Sequence, residues 1–322
     1  MATVSELATT YNLPNYAGEL FAASPEDTPF LSAIGGLTGG VSVGSPLFEW
    51  QGYDLRDADD TRQRKEGADV EAFSERARFA ASNVVEIHQE AIALSYTRMG
   101  ATRMRTVPDG AKMVQIGSAS IPADELAFQI SAELKQIARD VEKTFLTGTF
   151  QNPTDNTTPR KTRGLIAAAT TNVATTEHKA SDLTADDVLG LIEKVWKNGG
   201  FRESETATII VNSSLKRALS RVFITDAGYK EGTRNVGGVN LKTIETDFGT
   251  VNVMLNRYVP ATKLVVASLE QIKPAFLEIP GKGHFFVEPL AKTGASEKVQ
   301  IYGEIGLIYG NEKAHGVLTV AQ

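Results

Sequence analysis

One long amphipathic segment constrains the fold of this 322-residue chain more than any other feature. Between residues 122 and 147, apolar side chains recur every three or four positions, which is the period of one helix face. Pro122 suits the first turn of a helix, and Gly148 suits its C-terminal end. At the usual rise per residue such a helix is roughly 39 Å long. We therefore predict a structural spine against which the other elements pack.

A highly charged stretch lies between two segments whose composition is typical of β-strands. Residues 54–71, DLRDADDTRQRKEGADVE, carry eleven charged side chains in eighteen positions. The preceding PLFEWQGY and the following FAASNVVEIHQEAIALSY are rich in strand-forming residues. Because so polar a stretch cannot contribute to a core, we interpret it as a polar excursion of a hairpin between the two strands.

The segments that follow the long helix mix helices and strands without regular alternation. Thr184 and Asp187 have the spacing of an N-cap and its N3 partner, which predicts a helix over 186–198. Further along, the sequence predicts a strand at 207–211, a helix capped by Ser213 and running through Val222, a hairpin at 239–256, a strand at 263–268 and alternating strands and turns in the tail. This order predicts an α+β fold.

The first 47 residues contain large apolar side chains, Phe30 and Leu31 among them, without a sustained period. Prolines and four glycines within 35–40 interrupt any long element. The segment is either a frayed terminus or an arm that docks on another surface. We favour the arm, because disordered segments seldom keep so many large apolar side chains.

The composition excludes several classes of function. The chain has no cysteine, so disulfides, thiolate metal sites and cysteine nucleophiles are absent. It shows neither a signal-peptide pattern nor an 18-residue apolar stretch. A net charge of −6 argues against a molecule that holds nucleic acid electrostatically.

Catalytic and metal-binding patterns are weak. The four histidines are scattered without metal-ligand spacing. Ser213 and Lys216 fit S-x-x-K, and a K-T-G triplet begins at Lys292, two of the three marks of a penicillin-binding serine acyl-transferase. Because the third mark is missing between them, we favour a helix start and a turn. We predict a protein that is not an enzyme and has no catalytic, cofactor or metal site.

The order of several short segments resembles the major capsid proteins of tailed bacteriophages, which have the Hong Kong 97-like fold. The segments are EDTPFLSAIGG (26–36), EKTFLTGT at the end of the long helix, TRGLIAAATTN (162–172) and the tail EPLAKTGASEKVQIYGEIGLIYGNEKAHGVLTV. The resemblance implies an N-terminal arm (1–47), an extended loop (48–86), a peripheral domain (87–170) with the spine helix, an axial domain (171–283) and return strands of the peripheral domain (284–322).

The resemblance also implies a function. Such subunits assemble through hexamers and pentamers into an icosahedral shell around double-stranded DNA, formed in the host bacterial cytoplasm, with possible scaffolding, portal and cement proteins as partners and no membrane. The extended loop lies over a neighbouring subunit, so the expected intersubunit contacts are Asp57, Asp59, Asp60, Arg62, Arg64, Lys65, Glu66, Phe30 and Leu31. The shell protein of an encapsulin-type compartment is the alternative with the same fold.

Overall fold

The computed structural model describes residues 26–53, 55, 58–69, 75–76, 78–97, 113–116, 119–122, 125–201, 207–226, 243–291 and 293–322. Its helices are α1 (Pro29–Ile34), α2 (Glu125–Thr147), α3 (Leu165–Ala168), α4 (Ala185–Lys197) and α5 (Ser213–Ser220). Its strands are β1 (Val41–Val43), β2 (Leu47–Tyr53), β3 (Arg78–Val84), β4 (Glu86–Ser95), β5 (Met113–Ile116), β6 (Ala119–Pro122), β7 (Val173–Lys179), β8 (Ala207–Val211), β9 (Thr243–Thr246), β10 (Gly249–Leu255), β11 (Lys263–Ser268), β12 (Lys273–Leu277), β13 (Phe285–Pro289), β14 (Ser296–Ile308) and β15 (Gly316–Ala321). Within these ranges, every helix is too short or too polar to cross a bilayer.

The first sheet is built around the long strand β14. Strand β4 pairs antiparallel with β14 from Ser296↔Ser95 to Ile305↔Glu86. Strands β13 and β12 pair with β14 antiparallel, and β1 joins β12 in parallel. One face of this sheet therefore carries the buried side chains that pack towards α2, including Ile301 and Ile305.

The second sheet has six strands in the order β7-β15-β11-β8-β10-β9. Strand β11 is buried on both faces, as expected from its continuous apolar sequence. Val265 and Ala267 belong to the core shared with α1, α2 and the first sheet, whereas Leu264 and Val266 belong to a second core under α4 and α5. The second sheet is therefore packed between the spine helix and the pair α4 and α5.

The predicted spine helix is confirmed as α2, which begins at Glu125 and ends at Thr147. The capping box of α4 is also present, because Thr184 and Asp187 bond to each other's backbone N–H groups. The prediction for α5 was wrong in detail. Its N-cap is Asn212, whose side chain accepts from the Leu215 N–H, and the α-helix ends at Ser220 before a π-helical turn over 221–226.

The predicted domain boundaries differ from the observed sheets in two places. Strand β15 was expected among the return strands of the peripheral domain, but it pairs with β7 and β11 in the second sheet. Strand β12 was expected in the axial domain, but it pairs with β14 in the first sheet. The chain crosses between the sheets near both positions, and apolar alternation in a strand does not reveal which sheet it joins.

Candidate intersubunit hairpin

Strands β2 and β3 form the predicted hairpin. They pair antiparallel from Leu47↔Val84 at the base to Tyr53↔Arg78, and among the described residues they form a two-stranded sheet of their own. The distal part of the hairpin, between residues 53 and 78, is described at 55, 58–69 and 75–76. A two-stranded hairpin is marginally stable alone in water, so its base and its tip need support from other surfaces.

Aromatic packing fixes the base of the hairpin to the body of the subunit. Phe48 is buried in a small cluster with Val85 and Ala275. The Trp50 indole donates its Nε1–H to the carbonyl of Gly310 at 2.8 Å. Its ring also meets the Tyr309 ring edge to face, with centroids 4.8 Å apart. These contacts hold β2 against the first core.

The buried Asn83 fixes β3 with four hydrogen bonds. Its Nδ2 donates to the carbonyls of Leu307, at 2.8 Å, and Arg163, at 3.1 Å. Its Oδ1 accepts from the backbone N–H groups of Arg163, at 2.8 Å, and Val84, at 2.9 Å. The amide is therefore fully satisfied, and it joins the hairpin to β14 and to the segment after α2.

Glu86, which directly follows the hairpin, is a second buried polar junction. Its carboxylate accepts from the Thr144 hydroxyl of α2 at 2.7 Å and from the Thr162 backbone N–H at 3.2 Å. His88 lies 2.9 Å from the same carboxylate. Because buried polar groups are costly when unpaired, these bonds resist any movement of the hairpin base relative to the spine helix.

The distal half of the hairpin exposes large apolar side chains. Tyr53 is 71% exposed and Leu55 67% exposed. Phe79 is 40% exposed and lies over Gly52, where a Cβ would fall 2.2 Å from its ring. We did not identify these three as contact candidates from the sequence, although the alternation of β2, in which Phe48 and Trp50 face inward, could have indicated that Tyr53 is exposed. Phe79 shares the face of Gly52, its partner in the ladder, whereas Tyr53 lies on the opposite face of the hairpin.

The charged tip carries most of the contact residues expected from the sequence. Asp60, Arg64, Lys65 and Glu66 are exposed. Asp59 and Arg62 pair with each other within the tip, with 3.2 Å between Oδ2 and Nε. Asp57 lies outside the described residues. The tip thus presents charges of both signs to its surroundings.

Phe30 and Leu31 lie elsewhere, and the expectation for them needs correction. Both are buried in the subunit's own first core, with 0% and 1% of their surface exposed. Helix α1 packs against α2, β10 and the 3₁₀ turn at 269–271. These two side chains therefore stabilise the subunit that carries them, because the apolar surface they bury is its own.

The described residues of the weak enzyme motif lie in different parts of the fold. Ser213 starts α5 over the second sheet, whereas Thr293 and Gly294 lie in the turn between β13 and β14 of the first sheet. Lys292 lies outside the described residues. Burial lowers the pKa of Lys216. In the described ranges, His, Asp and Glu side chains do not form a metal-binding group of three or more.

Comparison with known proteins gives a consistent result. The family model described as SU10 major capsid protein matches residues 3–322. The major capsid protein of Escherichia phage Phieco32 is 28% identical over 134 residues, which are 42% of this chain and 32% of that protein. The aligned part therefore spans about a third of the length of that relative.

Two solved shells illustrate the structural likeness. The capsid of the native GTA particle matches with a TM-score of 0.61 and 12% identity, covering 100% of both chains. The holo-SrpI encapsulin of Synechococcus elongatus PCC 7942 matches with a TM-score of 0.55 and 14% identity, covering 99% of this chain and 95% of that one. The predicted α+β fold of the Hong Kong 97-like class is thereby confirmed.

Proposed function

The chain belongs to the SU10 major capsid protein family, and from this premise we propose that it is the subunit of an icosahedral phage head. Copies assemble through hexamers and pentamers into a closed shell that encloses double-stranded DNA without reading its sequence. Assembly takes place in the cytoplasm of the host bacterium, with scaffolding, portal and cement proteins as separate partners. The family match over nearly the whole chain is the observation that carries this proposal.

The hairpin explains how one subunit engages the next. Its base is fixed by Trp50, Asn83 and Glu86, so it leaves the subunit in a defined direction. Its distal half exposes Tyr53 and Leu55, which a neighbouring subunit covers in the shell. Burial of two such side chains contributes about 3–6 kcal/mol per contact when it is complete. The apolar pair supplies affinity, and the mixed charges of the tip select the register.

The charges of the tip suit a contact that must be reversible during assembly. A single exposed ion pair contributes only about 0–1 kcal/mol. Weak contacts let a misplaced subunit dissociate, whereas their repetition around a closed shell makes the finished particle stable. The acidic balance of the chain, −6 overall, suits a container that must later release its DNA, because strong phosphate binding would retain it.

An encapsulin-type compartment is the second candidate, since the SrpI encapsulin shares the fold. That likeness is at 14% identity and bears on the fold alone, whereas the family match is to phage capsid proteins. Particles isolated from the native host separate the two functions. Nuclease-protected DNA of uniform length supports the phage head, and a protein cargo without DNA supports the compartment.

The assembly test uses the full chain and size-exclusion chromatography with light scattering, followed by negative-stain imaging. Wild type is expected to give closed shells or ring-shaped capsomers, alone or with its scaffolding protein. The double variant Tyr53→Ser, Leu55→Ser is expected to stay at 34.7 kDa with an unchanged urea midpoint. Val173→Ser, at an exposed position on the edge strand β7, is the matched control. Normal assembly of the double variant would show that the hairpin is not the contact.

A second experiment tests whether the charged side chains of the hairpin tip contribute to assembly. Arg64→Glu, Lys65→Glu reverses two exposed tip charges, and Lys179→Glu reverses an exposed charge at the end of β7. We expect the tip variant to need a subunit concentration about tenfold higher for assembly. The reversed charges would repel the groups on the neighbouring subunit that the native charges attract. If Lys179→Glu raised the assembly concentration equally, the cause would be the changed net charge of the subunit and not the position of the charges at the tip.

A further inference from the structure

Strand β4 is an outer strand of the first sheet in the part of the chain that the structure describes. Within that part it pairs with β14 alone, and the register runs from Glu86 to Ser95 without a break. The strand has ten residues, EIHQEAIALS, and contains no lysine, arginine or proline. A long, regular outer strand of this kind is a template on which another strand can pair.

The other outer strands of the two sheets are protected against such pairing. In the described ranges β1, β9 and β13 have five residues or fewer, and β13 ends in Pro289. At the edge strand β7, the Lys194 Nζ donates to the carbonyl of Val173 at 2.8 Å, and the register with β15 shifts after Thr319. Short strands, proline, lysine and bulges are the usual means of blocking an edge. Strand β4 has none of them.

The ladder with β14 fixes which backbone groups of β4 point outward. The Tyr96 N–H donates to the Ala295 carbonyl at 3.2 Å, in register with the ladder. Because backbone groups alternate in direction along an antiparallel strand, the even-numbered residues of β4 bond to β14, and the odd-numbered residues from 87 to 93 direct their N–H and C=O groups away from it. The side chains at these odd-numbered positions are all exposed. They therefore offer an added strand both backbone hydrogen bonds and side-chain contacts.

The length of this edge indicates which strand it accepts. In the described part of the chain, β2 and β3 have seven residues each, and the other outer strands are shorter or blocked. The β4 strand of a second copy has the same length and the same lack of protection. Two identical edges that run antiparallel are self-complementary, so they form a symmetric pair in which each donates and accepts the same bonds.

Charge and overlap select one register for such a pair. A two-fold axis at Glu90 would place two carboxylates directly opposite each other, which is unfavourable. An axis at Ile92 would pair fewer of the outward-facing positions. An axis at Ala91 places Ala91 opposite the partner's Ala91 and Gln89 opposite the partner's Ala93. In this register Glu90 lies opposite the partner's Ile92, and small side chains meet at the axis.

We propose that β4 pairs antiparallel with β4 of a second copy about a two-fold axis at Ala91, so that the first sheets of two subunits form one continuous sheet. Ala91 exchanges two backbone hydrogen bonds with the partner's Ala91, and Gln89 exchanges two with the partner's Ala93. This contact is separate from the hairpin and does not rest on the proposed function. It adds a symmetric interface to the subunit, whereas the hairpin contacts a neighbour through a different surface.

Single cysteines test the register, because the chain has none of its own. Ala91→Cys places two thiols across the axis with Cα atoms about 5.5 Å apart, within the range for a disulfide. Ala93→Cys alone places its two Cα atoms roughly 14 Å apart, which is too far. Gln89→Cys combined with Ala93→Cys in one chain restores a facing pair. Val173→Cys, exposed on the blocked edge β7, is the matched control for random collision.

The measurement is the rate of disulfide dimer formation under mild oxidation, followed by non-reducing electrophoresis of the full chain in unassembled and assembled fractions. We expect Ala91→Cys and the double-cysteine variant to link about tenfold faster than Val173→Cys, because pairing raises the effective concentration of the thiols. Ala93→Cys alone is expected to link no faster than this control. Equal rates for Ala91→Cys and Val173→Cys in both fractions, or fast linking of Ala93→Cys alone, would overturn the proposal.

A proline variant separates strand pairing from simple proximity. Ala93→Pro removes an outward N–H and leaves the bonds to β14 in place, and proline is tolerated at such positions of an edge strand. Added to Ala91→Cys, it is expected to reduce linking to the rate of Val173→Cys, and an unchanged rate would contradict pairing through the backbone. If Ala91→Cys linked to a Gln51→Cys chain and not to itself, the hairpin of a neighbour would occupy the edge, and the symmetric pair would be wrong.

Discussion

Truncation of Phe30 tests whether the N-terminal segment belongs to its own subunit or to a neighbour. The sequence placed Phe30 at an intersubunit contact, whereas the structure buries it completely, with 0% of its surface exposed. Phe30 packs in the first core, which also contains side chains of α2 and β14. Replacing a fully buried Phe by Ala removes its transfer free energy and leaves a cavity, at a cost of about 3–5 kcal/mol. That is a large share of the roughly 5–15 kcal/mol by which a folded domain is stable.

The assay is urea unfolding of the unassembled subunit, followed by the fluorescence of its two tryptophans. Phe30→Ala is expected to lower the midpoint with little change in slope, because the surface exposed on unfolding is nearly constant. Phe79→Ala removes the same atoms from a side chain that is 40% exposed on the hairpin. We expect it to cost about 1 kcal/mol or less.

The opposite pattern would refute this reasoning. If Phe30→Ala left the urea midpoint of the subunit unchanged and only prevented assembly, Phe30 would act between subunits, as the sequence indicated. A loss of stability no larger than that of Phe79→Ala would show that the core around α1 is not closed in the isolated subunit.

Three further outcomes follow from the polar junctions. Asn83→Ala leaves the carbonyl of Leu307 and the N–H of Arg163 unpaired, so we expect a loss of about 2–4 kcal/mol in urea unfolding, and a smaller loss would show that water replaces the amide. Burial opposes ionisation of Asp187, but hydrogen bonds from Thr184, His178 and Thr176 outweigh it and lower its pKa from 3.8 to about 2. The stability this carboxylate contributes is therefore present above pH 3.8 and is lost as the pH falls towards 2, and acid titration of Asp187→Asn should lack that component. Burial raises the pKa of Glu142 above 4.5, and the nearby charge of Asp27 adds to the rise. Hydrogen bonds from the backbone N–H groups of Leu31 and Phe30 and from the Asn256 amide act in the opposite direction but are outweighed. The folded state then binds this proton more tightly than the unfolded state, so stability should fall as the pH rises from 4.5 through the raised pKa, and a Glu142→Gln variant with the same slope would contradict this origin.

Local sequence rules anticipated the elements whose causes are local. The apolar period of α2, the capping box of α4 and the continuous apolar run of β11 each depend on residues within a few positions, and all three are present. The hairpin β2–β3 could be recognised because a charged excursion between two strands has few other solutions.

The junctions between elements could not be predicted from the sequence, for a physical reason. Asn83 bonds to residues 80 and 224 positions away, and Glu142 to residues more than 110 positions away. In the sequence these side chains resemble ordinary surface residues, because their burial is created by the packing of distant segments. The same limit explains Phe30, since an apolar side chain in an aperiodic segment can pack on its own subunit or on a neighbour.

Under the proposed function the two halves of the hairpin have opposite requirements, and different residues serve each. A subunit joining a shell loses less conformational entropy if its contact element is already oriented, so a fixed base favours assembly. Buried polar junctions suit this role because Asn83 and Glu86 are satisfied only in one arrangement of the strands around them. In the proposed shell the tip associates and dissociates, which suits exposed charges that stay hydrated. Substitutions at the base are therefore expected to alter the stability of the single subunit, whereas substitutions at the tip are expected to alter the concentration at which subunits assemble.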